Sequence, residues 1–143
     1  MKIFILAVGK LSMPYRKLEE DFLKRMKNVH ILEIKESSKL KETREILKKL
    51  ERKDWFVVLC DVRGESFTSE QFSKFLREKL LRKDVCFLIG GPDGLDTELL
   101  ENHIDFKLSL SKMTFNHQLC RIILLEQLYR AMMFWKDHPY AKH

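Results

Sequence analysis

Apolar and polar positions alternate along this chain in blocks of two kinds. Short apolar runs recur at 3–8, 29–34, 55–60, 85–89 and 106–110. Each is too short for a stable helix and rich in Ile, Val, Leu and Phe, so each reads as a strand. Between them lie polar stretches with apolar residues at helical spacing. One opens near Pro14, which suits the first helical position, and carries Leu18, Phe22 and Met26 on one stripe. Ser38 caps a basic helix whose apolar positions are Leu40, Ile46, Leu47 and Leu50. Thr68 with Gln71 three residues on matches a capping box, opening a helix through Phe72, Phe75, Leu76 and Leu80. Asp96 caps a short helix through Leu99 and Leu100, and 117–136 forms a long terminal helix. This alternation predicts an α/β fold, a mostly parallel sheet with helices on both faces. No linker, internal repeat or low-complexity tract interrupts it, so 1–143 reads as one domain.

The terminal helix is apolar nearly all round: Leu119, Ile122, Ile123, Leu124, Leu125, Leu128 and Met132 leave only a thin polar stripe with Arg121, Glu126 and Arg130. Such a helix needs cover on more than one side. One side belongs to its own sheet, and the other predicts a homodimer.

The run at 85–89 reads as a strand buried on both faces, and it stops at Gly90-Gly91-Pro92-Asp93-Gly94. A bare, rigid loop at the C-terminal end of a parallel strand is where open α/β sheets bind ligands. The same residues also suit a turn that needs glycine for its own geometry. The loop lacks the Lys-Ser/Thr pair of a phosphate-binding P-loop, and Lys112 lies too far along the chain to supply it.

Charge adds a direction. Lys and Arg number 27 against 21 Asp and Glu, a net +6, and the whole excess falls in residues 1–54, with 15 basic against 9 acidic. A basic part beside a neutral remainder suits a polyanion such as RNA, or a solvated lysine-rich face. Cys60, Cys86 and Cys120 lie in apolar surroundings without C-x-x-C spacing, the pattern of a reduced, cytoplasmic protein. The five histidines form no recognisable metal pair, so no metal is expected. The 3–8 run is too short for a membrane span or signal peptide.

Three segments together carry a resemblance: Ile89-Gly90-Gly91-Pro92-Asp93-Gly94-Leu95, Leu108-Ser109-Leu110-Ser111-Lys112-Met113-Thr114-Phe115-Asn116-His117, and Leu125-Glu126-Gln127-Leu128-Tyr129-Arg130-Ala131. With Met1-Lys2-Ile3, Val8-Gly9-Lys10 and His138-Pro139-Tyr140 they span the chain. They resemble the SPOUT-class RNA methyltransferases, specifically the family that methylates N3 of a pseudouridine in large-subunit ribosomal RNA. The resemblance implies a deep C-terminal trefoil knot, which general rules of chain topology would not produce. It also implies a homodimer, S-adenosyl-L-methionine as cofactor, and ribosomal RNA or the assembled ribosome as partner. Matched by position, the cofactor contacts are Cys60, Gly90, Leu110, Ser111, Lys112, Met113, Thr114 and Phe115. Cys60 stands where the family usually has leucine, and Ala141 where it usually ends Pro-Tyr-His.

Methylating an imide nitrogen requires loss of its proton, hence a base or surroundings that favour the anion. His117 is a candidate base, with a helix cap or core residue as the alternative. Arg121 is a candidate for holding a phosphate or a developing imide anion, with a structural carboxylate pair as the alternative. Tyr140 is a candidate for stacking on a flipped base, and Asp61 for abutting the site from the third strand. Glu126 and Arg130, at i,i+4, read as a helix salt bridge. A non-enzymatic RNA-binding or ribosome-associated protein with the same fold stays open as the second reading, and a nucleotide-binding protein as a third.

Overall fold

The apolar runs pair edge to edge as one five-stranded sheet in the computed structural model, which describes residues 1–142. The strands are β1 (Ile3–Val8), β2 (Val29–Ile34), β3 (Phe56–Ser66), β4 (Val85–Ile89) and β5 (Phe106–Ser109). Their order is β2-β1-β4-β3-β5, and every pairing is parallel. All five residues of β4 are buried, as its continuous apolar run requires of a strand covered on both faces. Alternation along the strands sorts side chains to two layers. Ile3, Ile5, Ala7, Phe87 and Ile89 face α1 (Tyr15–Arg25), α3 (Ser69–Leu80) and α5 (His117–Trp135). Leu6, Val8, Cys86 and Leu88 face α2 (Lys39–Glu51) and, through Leu100, the four-residue α4 (Thr97–Leu100).

Local signals act where they stand. Ser38 Oγ accepts from the Lys41 amide, and Thr68 with Gln71 forms both halves of the capping box. Pro14 sits one position earlier than expected, as the residue before α1 rather than its first. Leu18 and Leu40 are exposed, so the buried stripes of α1 and α2 are narrower than their apolar content.

β3 differs most from expectation. It starts one residue late, leaving Trp55 to stack on Phe4 at 4.8 Å, and it runs on to Ser66. Cys60 and Glu65 both stand opposite Leu108, so residues 61–64 bulge out and pairing with β5 resumes beyond them. At the return, Gly64 lies so close to β5 that a Cβ there would meet the Lys107 carbonyl oxygen at 2.5 Å.

α5 lies between α1 and α3, so its own chain covers much of the surface that the sequence assigns to a second subunit. Leu119, Ile123 and Phe134 are half-buried and belong to neither core cluster.

Candidate functional site

A cavity of about 760 Å³ opens at the C-terminal ends of β3 and β4. That lies within the roughly 300–1,000 Å³ usual for small-molecule sites, at the sheet edge where parallel α/β folds bind ligands. Its walls come from three segments: Leu59 to Arg63, Ile89 to Leu95, and the loop from Leu110 into the first turn of α5.

The middle wall is a tight turn. The Gly94 amide donates to the Gly91 carbonyl at 2.9 Å, with Pro92 and Asp93 at the corners and Gly94 at φ +73°. The turn folds back on Gly90, where a Cβ would meet the Gly94 carbonyl carbon at 3.0 Å and Leu95 Cγ at 3.1 Å. Gly90 is therefore required by the turn's own packing, whatever else approaches it. From behind, Thr43 Oγ1 accepts from the Asp96 amide at 3.0 Å. Thr43 is fully buried, although in sequence it looks like part of a solvated helix start.

The third wall holds itself in shape. Ser109 Oγ donates to the Ser111 carbonyl, the Met113 amide donates to Ser111 Oγ, and Asn116 caps α5 through the Leu119 amide. Met113 and Thr114 are exposed and form the mouth, while Leu110 and Phe115 are half-buried. At the opposite rim Asp61 accepts from the Arg63 amide and guanidinium. Burial alone would raise the Asp61 carboxyl, but the Arg63 hydrogen bonds and charge outweigh it and hold the group below its ordinary value. Lys39, from the first turn of α2, reaches the same rim.

Of the residues expected at the site, Cys60, Gly90, Leu110, Ser111, Met113, Thr114, Phe115 and His117 all line this cavity. Lys112 is exposed and does not line it. Arg121 faces elsewhere: its guanidinium is bidentate to Glu19 at 2.6 and 3.1 Å, donates to Glu33 at 2.6 Å, and reaches the Gly9 carbonyl at 3.4 Å. It is fully buried there, as the structural alternative for this residue requires. Asp61, Arg63, Lys39 and Cys120 also line it. Of these, sequence signals pointed only to Asp61.

Tyr140 lies beyond the other end of α5, in a cluster that fixes the tail. Its hydroxyl donates to Glu126 Oε2 at 2.7 Å, which also accepts from Arg130 at 2.9 Å. Arg130 in turn donates to the Tyr140 carbonyl and lies over the Tyr140 ring at 4.9 Å. Tyr129 meets that ring edge-on at 4.8 Å. Burial and the Glu126 hydrogen bond push the phenol above its ordinary value, so it stays protonated. The expected Glu126–Arg130 bridge is thus present, with Tyr140 as a third member. Glu126 stands at the middle of the 19-residue α5, so about half of the helix, at about 1.5 Å per residue, separates this cluster from His117.

Residues 1–141 match the family model described as "Predicted SPOUT methyltransferase". The chain belongs to the SPOUT methyltransferase family. A protein from Clostridium kluyveri named ribosomal RNA large subunit methyltransferase H is 39% identical, with 99% of this chain and 100% of that one covered. Relatives of the same name from Mycoplasmopsis synoviae (38%, covering 99% and 100%) and Prochlorococcus marinus (40%, covering 96% and 94%) match as fully. Among solved structures, a putative RNA methyltransferase of the TrmH family from Porphyromonas gingivalis shares the SPOUT fold. Its TM-score is 0.50 and its identity 14%, over 88% of this chain and 58% of that one. The chain is accordingly a methyltransferase. Among the described residues no helix is long and apolar enough to cross a membrane, and no group of three or more His, Cys, Asp or Glu could hold a metal ion.

Proposed function

We propose that this methyltransferase acts on ribosomal RNA of the large subunit, transferring a methyl group from S-adenosyl-L-methionine to N3 of a pseudouridine. The near end-to-end match to relatives named ribosomal RNA large subunit methyltransferase H is the observation that carries the substrate class. The finer statements, donor and target atom, rest on the motif resemblance and on the chemistry of the cavity.

The donor set fits. S-adenosyl-L-methionine has no phosphate, and the glycine turn lacks the Lys-Ser/Thr of a phosphate cradle. Leu59, Ile89, Leu95, Leu110 and Phe115 give an apolar slot for a purine, with backbone groups of the turn and the 110–116 loop at its edge. The ionised Asp61 stands at the rim where a cationic donor enters. When bound, the donor supplies an already activated methyl, so the protein's part is alignment and the removal of one proton. We assign His117 the proton acceptor's place, because it is the histidine that lines the cavity.

Tyr140 does not line that cavity in its own chain, because Glu126 and Arg130 hold it farther along α5. A homodimer would solve this by bringing Tyr140 of the partner subunit to the RNA, and Leu119, Ile123 and Phe134 are the apolar residues left for the contact. The basic α2, with Lys39 at the cavity rim, suits the phosphate backbone. A trefoil knot belongs to the same proposal. Its support is the course of residues 110–116, which leave the edge strand β5, line the cavity at the ends of β3 and β4, and enter a helix packed between α1 and α3. A cytoplasmic location follows from a ribosomal substrate.

Calorimetry with S-adenosyl-L-methionine and with ATP tests the donor, and only the first is expected to bind. Methylation of large-subunit ribosomal RNA in ribosomes lacking the modification tests the reaction. Donor binding without methyl transfer to either free RNA or assembled ribosomes would favour the non-enzymatic reading.

A further inference from the structure

The cavity wall contains two nucleophilic groups that methyl transfer leaves unused. Cys60 ends the first stretch of β3 just before its bulge, and Cys120 is the fourth residue of α5. Both are half-buried, both line the cavity, and both pack against the same core cluster, near enough that each thiol shifts the other's ionisation. The third cysteine, Cys86, is wholly buried in β4 and touches neither solvent nor the cavity.

We propose that Cys60 and Cys120 form a modification site, a dithiol that a hydroperoxide entering the cavity converts into a disulfide. The two sulfurs have different parts. Cys120 sits in the first turn of a 19-residue helix, whose N-terminal end favours a thiolate there, and the neighbouring Cys60 thiol lowers its pKa further. Cys60, which its neighbour Cys120 and its burial both push up, is held protonated. The Cys120 thiolate attacks the peroxide O–O bond, takes one oxygen as a sulfenic acid, and the other oxygen leaves as water or an alcohol after protonation. The Cys60 thiol then gives up its proton and attacks the sulfenic sulfur; the S–S bond forms, the S–O bond breaks and water leaves. Two thiols are oxidised by two electrons, and the hydroperoxide is reduced.

A disulfide requires the two Cα atoms to stand about 4.4–6.8 Å apart, so it would pin the start of α5 to the end of β3. The 110–116 loop joins β5, the neighbour of β3, to α5, and so loses freedom to open. That the pinned state excludes the methyl donor rests on the function proposed above; formation of the disulfide does not.

The test treats the protein with hydrogen peroxide, blocks remaining thiols, and maps peptides by mass. The expected result is a loss of about 2 Da, a Cys60–Cys120 linked peptide, free Cys86, and full reversal by dithiothreitol. Cys120→Ser should form no link. Cys60→Ser, or Cys60→Leu should the serine variant not fold, should leave Cys120 as a sulfenic acid trapped by dimedone. Three free thiols after peroxide, or a link through Cys86, would overturn the proposal. Calorimetry before and after oxidation should show S-adenosyl-L-methionine affinity falling by about tenfold or more, with no such peroxide effect in Cys120→Ser. A mapped disulfide with unchanged affinity would overturn the gating. Failure of the reduced protein to bind the donor would count against the proposed function, and the peptide map would still decide the dithiol.

Discussion

Replacing Arg121 by methionine should unfold this protein more readily without touching its chemistry. The side chain is 2% exposed, and its bidentate partner Glu19 is 12% exposed, so removing the arginine strands a nearly buried carboxylate. Breaking a buried ion pair by deleting one partner costs about 3–5 kcal/mol. Glu33, at 37% exposure, is hydrated enough that its share stays on the surface scale, below about 1 kcal/mol. The expected loss is therefore about 3–5 kcal/mol, a large part of the roughly 5–15 kcal/mol by which domains of this kind are stable. Urea unfolding followed by circular dichroism, at one fixed protein concentration, measures it. Adding Glu19→Gln to the Arg121→Met background should recover part of the loss, because the stranded charge is gone. Where the single variant is still folded, its donor affinity should match wild type. A variant as stable as wild type but unable to transfer methyl groups would refute the reasoning, and would return Arg121 to the reaction.

Three further outcomes follow from the geometry. Gly64→Ala should cost about 1–3 kcal/mol and lower the urea midpoint, because its Cβ would press on the Lys107 carbonyl; an unchanged midpoint would show that β5 yields freely. The Tyr140 phenol should ionise above the usual tyrosine range in an ultraviolet titration, and Glu126→Gln should bring it down. Being raised in the folded state, that phenol contributes stability at pH values below the ordinary tyrosine pKa, which is lost as pH rises through the folded value; a titration unmoved by Glu126→Gln would leave burial as the whole cause. Ile123→Glu should convert a dimer to a folded monomer in sedimentation, and a wild type that is monomeric at micromolar concentration yet fully active would defeat the shared site. Ile123 is the better choice over Met132, which packs against the core of its own chain.

What could be read from the sequence was local. The buried runs of β1 and β4, the capping box at Thr68 and the cap at Asp96 depend on neighbours a few residues away, and pattern reports them directly. The extension of β3 through Asp61, Arg63 and Glu65 was not legible, because a charged run becomes a strand here only by pairing with β5 across a bulge. Arg121 was equally opaque: its partners lie 102 and 88 residues earlier, and a polar position on an apolar helix looks the same whether it meets solvent, substrate or Glu19. The strand order came from neither alternation nor propensity. Seven of the eight expected cofactor residues share one cavity because a motif resemblance encodes tertiary proximity that periodicity does not. Lys112, the eighth, occurs within the matching motif, yet the motif alone does not say which loop residue turns outward.

The division of labour along α5 connects these points. Its first turn supplies His117 and Cys120 to the cavity, its second turns Arg121 into the gap between Glu19 and Glu33, and its C-terminal half holds the tail through Glu126 and Arg130. A helix that served only as core would bury apolar residues at all these positions, since a buried charged network is seldom more stable than well-packed hydrocarbon. What the network supplies here is position. The setting of α5 in which Arg121 meets both carboxylates is the one that puts His117, one turn earlier, and Cys120, the preceding residue, at the cavity wall. The arginine is thus a register pin for the folded helix even though it never faces the site, and its loss should show in stability while the molecules that stay folded keep the cavity wall intact.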